Sequence, residues 1–212
     1  MRGLVGLALV LQACVVQEDR PAGPGEMLRL RGAHTRVWQQ DQVVLTLDAT
    51  EMTVAGDRVL ATGAVLQTRQ GTLHTGRLEF DQRTTSARAT GVVEADVGPW
   101  HFWGSEVTFS RDARVSSAAP FALKAGPLVH YEGRAFQWDP VGAVAELSRV
   151  SSVVEAKGAP MRFVADRVVY REAQAEAEAQ GHVTLGDREG ARGVVRFVRG
   201  AEGQQVESSS VD

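Results

Sequence analysis

The sequence predicts an all-β domain of about 10–14 short antiparallel strands, and three observations predict it. The first is a degenerate unit that recurs five times after residue 48, built on Met52-x-Val54, Leu78-x-Phe80, Val107-x-Phe109, Phe136-x-Trp138 and Val168-x-Tyr170. The second anchors of these steps lie 26, 29, 29 and 32 residues apart. A period near this length marks repeat architectures, in which one unit cannot bury its own apolar face and stacks on its neighbours. The second observation is the spacing of two within each step, which puts both anchors on one face of a strand and on different faces of a helix. The third is that no sustained run of 3.6-period apolar residues occurs after residue 18.

Each copy carries a small residue five positions before its second anchor: Ala49, Thr75 with Gly76 beside it, Gly104, Gly133 and Ala165. Three copies close on a glycine followed by a β-branched residue, as in Gly63-Ala64-Val65, Gly91-Val92 and Gly181-His182-Val183. The third and fourth copies have Ala119-Pro120-Phe121 and Ser151-Ser152-Val153 in its place.

In chain order, residues 1–13 read as a secretory signal, with Arg2, a short apolar run from Gly3 and a small residue at Ala13. The apolar stretch is shorter than the roughly 20 residues a helical span needs. Cys14 is the only cysteine, and Leu11-Gln12-Ala13-Cys14 resembles a bacterial lipobox, with Gln12 departing from the usual small residue. A plain secretory signal cut near Ala13, or a short tail with a stray thiol, are the other readings of this segment. Residues 14–33 read as lipid anchor and flexible tether, because Gln17–Glu26 holds two prolines, two glycines and four charges.

The domain spans 34–200, opening at Trp38 and at Val43-x-Leu45-x-Leu47. Turns at Ala55-Gly56-Asp57 and at 81–85 separate the following strands. Ala175, Ala177 and Ala179 alternate with Glu176, Glu178 and Gln180, so this segment reads as a strand despite its helix-favouring composition. Residues 201–212 are polar and read as a disordered tail.

Composition narrows the function. The formal charge is −3, and −4 without residues 1–13, so no basic footprint for nucleic acid exists. One cysteine allows no internal disulfide, and stability must come from packing and ladder hydrogen bonds. No Gly-x-Ser-x-Gly elbow, His-Glu-x-x-His pair or glycine-rich phosphate loop occurs. The reading is therefore non-enzymatic, with no cofactor and no metal site expected.

The form small-x-x-apolar-x-aromatic, polar turn, then Ala-x-Gly-x-Val resembles the OstA-like, LptC-like family of lipopolysaccharide-export periplasmic proteins. Gly76-Arg77-Leu78-Glu79-Phe80-Asp81 with Ala89-Thr90-Gly91-Val92-Val93 carries it, as does Ala165-Asp166-Arg167-Val168-Val169-Tyr170 with Ala179-Gln180-Gly181-His182-Val183. The resemblance covers residues 36 to about 199, and a lipobox departs from the transmembrane helix more usual in LptC-like members.

It implies an elongated, twisted, partly open β-jelly roll whose interior carries the acyl chains of lipopolysaccharide. It implies partners as well: other jelly-roll bridge proteins joined edge to edge, LptA-like ones among them, and an ABC exporter complex that supplies energy. The place is the periplasmic face of the cell envelope, the membrane being reached through Cys14. The expected lipid-binding residues are Leu78, Phe80, Val107, Phe109, Phe136, Trp138, Val168 and Tyr170, lining one wall. The expected open edges are the strand around Val43–Leu47 and the strand Val194-x-Arg196-x-Val198.

Two other classes fit the residues. One is a lipid-anchored structural β-solenoid. The other is a surface carbohydrate-binding lipoprotein using Trp100 and Trp103 as stacking platforms.

Overall fold

A computed structural model describes residues 27–212 apart from 40, 69–70, 98–99, 113, 126–128, 140, 157–158 and 201–202. The signal segment and Cys14 lie outside the described residues. The expected all-β, antiparallel, jelly-roll-like class is what is observed, with no helix among the described residues beyond a single 3-10 turn at Glu172–Gln174.

The chain forms two compact units. The first holds the residues up to Gly98 together with Gly104–Val115, and the second Pro99–Trp103 with Ser116–Asp212. The first unit is a meander of β1 (Met27–Gln39), β2 (Gln42–Ala55), β3 (Arg58–Thr68), β4 (Gly71–Asp81) and β5 (Ser86–Val97), each antiparallel to the next. The strand β6 (Trp100–Phe109) and the short β7 (Val115–Ser117) are divided between the units.

In the second unit β8 (Phe121–Ala125) pairs with β9 (Val129–Gly133). Both β9 and β10 (Ala135–Asp139) lie along β11 (Val144–Ala156), β9 on its second half and β10 on its first. The series continues through β12 (Ala159–Arg171), β13 (Glu176–Leu185), β14 (Arg188–Gly200) and β15 (Gly203–Val211). A parallel bridge between Ala156 and Val206 brings β15 back to β11.

Several boundaries differ from expectation. Fifteen strands are present among the described residues, and many are longer than the short strands expected, because anchor step and preceding alternation belong to one strand. Val43–Leu47 and Met52–Val54, for instance, are both in β2. The tether ends earlier than 33, since Leu28-Arg29-Leu30-Arg31 alternates as part of β1.

Residues 203–211, expected as disordered tail, form β15, for a ladder needs backbone groups more than apolar side chains. Arg188 Nη2 donates to Ser209 Oγ at 2.8 Å, and Val206 is buried. Consequently neither Val43–Leu47 nor Val194–Val198 is an open edge: β2 is covered by β1, and β14 by β15. Arg196 stands between Glu176 and Ser208 in the ladder, so proline there would break the domain's own pairing.

The strand at Ala173–Gln180 begins at Glu176, after the 3-10 turn. Ala177 and Ala179 point inward, and Glu176 reaches out to Arg196 Nε at 3.0 Å.

One feature orders the buried face of both units. Buried positions step by two along each half of the long strands, then by three at the middle, or by four in β5 (Ala89, Val93) and β13 (Ala179, Val183), which carry an extra residue. In β3 they are Val59, Ala61, then Ala64, Leu66; in β4 Leu73, Thr75, then Leu78, Phe80; in β11 Ala145, Leu147, then Val150, Ser152. A slip of one residue turns a strand's side chains to the opposite face, so both halves stay inward only if the backbone is creased between them.

The crease runs across neighbouring strands. Gly63 (φ 54) lies opposite Thr50, and a Cβ on it would stand 2.6 Å from Thr50 Oγ1. The ladder also breaks between Thr75 and Arg77, where β5 carries an extra residue at the positive-φ Gly91, and between Val164 and Arg167, opposite Gly181. Such β-bulges bend the bulged strand. The Thr75 hydroxyl sits 3.0 Å from the Arg77 carbonyl and 3.1 Å from that of Thr90, satisfying groups the bulge frees. In β11, which has no glycine there, Arg149 takes the left-handed conformation (φ 51) at an energetic cost.

Candidate functional site

The repeat motif is the crease written in sequence. The small residue is the last inward position before the bend, the two unspecified residues span it, and the apolar-x-aromatic step is the inward pair beyond it. Register then aligns the steps. In the first unit Met52, Ala61, Leu78 and Ala89 form one cross-strand row, and Val54, Val59, Phe80 and Ala87 the next.

In the second unit the rows are Phe136, Leu147, Val168, Ala179 and Trp138, Ala145, Tyr170, Ala177. Outgoing strands supply bulk and return strands supply alanine except at Val59 and Leu147, so most large side chains have room across a small one.

The eight expected lining residues therefore fall into two sets of four, one in each unit. Leu78, Phe80, Val107 and Phe109 are all buried in the first. Trp138 and Val168 are buried in the second, with Phe136 and Tyr170 half-buried. The repeat has a further position, seven residues before the second anchor, that the two-anchor step leaves out: Leu47, Leu73, Phe102, Tyr131 and Phe163. Four of these are buried and Tyr131 is half-buried, and the signal that marks them is the same fixed offset.

The second unit holds a ring cluster. Phe136 meets Phe121 edge-on at 5.1 Å and Phe102 at 5.5 Å. The Phe121 ring lies over Gly133, where a Cβ would come within 2.6 Å of it. Burial pushes the Tyr131 phenol well above the ordinary range, and Tyr170 adds to the push. Tyr131 precedes the bend at Gly133, whereas Tyr170 follows the corresponding bend of β12.

The outer faces are polar and cross-linked by ion pairs such as Arg88–Glu106 and Arg167–Glu146, both at 2.8 Å. A recess of ≈ 510 Å³ in the first unit contains Arg58, Arg77, Arg88, Glu79 and Asp81. Its cations are answered locally, Arg77 by Glu79 and Arg88 by Glu106, which leaves little net charge for a ligand. Among the described residues no group of three or more His, Cys, Asp or Glu is placed to hold a metal, and no helix is long and apolar enough to cross a membrane.

At the crease of the second unit His182 Nδ1 lies 2.7 Å from Asp166 Oδ2, and this hydrogen bond and charge raise the imidazole above its ordinary 6.5. The sign follows from the raised value. The pair contributes to stability below the unfolded pKa, and the contribution is lost as pH rises through the folded one. We expect Asp166→Asn to return the His182 titration, followed by NMR of the ring protons, to the ordinary value; an unchanged midpoint would remove Asp166 as the cause.

No family model and no curated protein matches the chain.

Proposed function

We propose that this chain is a non-enzymatic lipid carrier of the cell envelope, holding the acyl chains of lipopolysaccharide in its apolar interior and pairing edge to edge with other export proteins. The observation that carries the reading is the creased repeat. Long strands in both units, β3, β4 and β11 among them, turn both halves toward the interior of their own unit, with aromatic and aliphatic side chains in aligned rows. Such an interior suits hydrocarbon, since each methylene kept from water is worth about 0.8 kcal/mol.

The pairing edge in this reading is β1, which among the described residues is hydrogen-bonded on one side only. Its Trp38 is 61% exposed. An unpaired edge is a template for a partner's strand. Attachment to the membrane rests on acylation of Cys14.

The test is photo-crosslinking in cells that export lipopolysaccharide, with benzoyl-phenylalanine placed at Phe109 in the first unit and at Tyr170 in the second. A lipid adduct from either position, identified by mass spectrometry, is the expected result. Folded protein with no lipid adduct at both positions would overturn the reading and favour a filled structural core.

On the same reading, Trp38→Lys should leave stability within about 0.5 kcal/mol, as surface changes do, while weakening association with a jelly-roll partner. Unaltered association in a pull-down would exclude β1 as the pairing edge.

A further inference from the structure

The two units are built from one repeat but their interiors differ in chemistry. In the first, the buried side chains among the described residues are apolar except for Thr75, whose hydroxyl lies within hydrogen-bond distance of two carbonyls. In the second, the indole Nε1 of Trp138 and Oγ of Ser152 are buried polar atoms that find no hydrogen-bond partner among the described residues. Trp138 and Ser152 are both more than nine-tenths buried.

Both point inward by register. Trp138 lies opposite Ala145, beyond which comes Tyr170; Ser152 lies between Tyr131 and Phe163. They stand on the two sides of the crease, one on β10 and the other on the second half of β11.

A buried donor without an acceptor is destabilising, and the same repeat position elsewhere is filled by residues that carry no such cost, Phe80 and Phe109 among them. A tryptophan and a serine so placed are explained by a ligand that brings an oxygen. The ring cluster of Phe102, Phe121 and Phe136 supplies an apolar surface in the same unit.

We infer that the interior of the second unit, and not that of the first, is the ligand-bearing one, and that it takes an acyl chain carrying an ester, amide or hydroxyl oxygen, which accepts a hydrogen bond from Trp138 Nε1–H with Ser152 as a second polar contact. This rests on the lipid-carrier reading and deepens it. The first unit then serves as a dry scaffold that presents the β1 edge. Selectivity follows: a chain with an oxygen at the depth of Trp138 satisfies the indole donor, and a plain alkane leaves it orphaned.

The experiment uses the purified full chain and two probes, N-methyltetradecanamide, which carries one amide oxygen, and hexadecane, which carries none. Dissociation constants are measured by displacement of a polarity-sensitive fluorophore. Trp138→Phe keeps an aromatic ring and removes the donor. It should weaken the amide about three- to tenfold, the range of one lost hydrogen bond, and leave hexadecane within about twofold. Ser152→Ala should act in the same direction and carries the test by itself should Trp138→Phe not fold.

Equal losses for both probes, or no loss for either, would overturn the inference while leaving lipid carriage standing. Crosslinks from Phe109 in place of Tyr170 would overturn the choice of unit. Failure of the wild-type chain to bind either probe, together with the absence of lipid adducts at both positions in cells, would instead overturn the carrier reading on which the inference rests.

Discussion

Phe109→Ala is expected to lower the stability of the domain by about 3–5 kcal/mol, the range for an aromatic removed from a closed core. Phe109 is 2% exposed and lies two residues beyond the equally enclosed Val107. For a chain of this length that loss corresponds to a fall in Tm of about 6–20 °C. Thermal unfolding followed by circular dichroism measures it directly. The burial of the ring is the ground for expecting the full penalty of a closed core. A measured loss below about 1.5 kcal/mol, with β-structure retained, would show that the ring borders space the neighbours can collapse into.

Gly181→Val should be nearly as damaging, for a different reason. Gly181 has φ +66, and a Cβ there would come within 2.6 Å of Asp166 Oδ2 and 3.0 Å of its Cβ. A β-branched residue in the left-handed region costs roughly 1–2 kcal/mol, and forcing Asp166 aside adds about 1–3 kcal/mol more. The combined variant with Asp166→Gly should recover only the steric part, leaving the backbone strain. Equilibrium denaturation of the three proteins separates the two contributions. Full recovery in the double variant would show that the crease does not require a positive φ at this position.

These two residues show how much could be read from the chain. Phe109 was visible because its spacing from Val107 is that of a strand and its slot recurs. Gly181 was visible as the closing glycine of a repeat. Their shared geometry was hidden: the five-residue offset to the small residue breaks the period of two by one, and only in three dimensions is that break a bend.

Val43–Leu47 and Val194–Val198 were taken for edges because the repeats stop there, whereas β1 and β15 continue the ladder with backbone groups that side-chain patterning does not report. Serines 208–210 carry no strand signal at all. Tyr131 and Ser152 were missed since the polar residues at inward positions of one copy contradict the apolar template of the others. Arg149 was missed for the reason that a left-handed arginine is not anticipated where other copies have glycine.

The bridge between Ala156 and Val206 has a kinetic consequence. Every other pairing of β11 to β15 joins neighbours in sequence, so each hairpin closes a loop of a few residues and can form as soon as its two strands exist. The bridge joins residues about fifty apart and adds nothing until β12, β13 and β14 are in place. The first unit, a meander from β1 to β5, has only nearest-neighbour pairings over that span and can grow one hairpin at a time. During synthesis, then, the amino-terminal meander is complete while the second unit still waits for its last strand. A chain released short of residue 203 would hold a folded first unit and an unclosed second one, with the ladder edge of β14 bare and open to wrong partners.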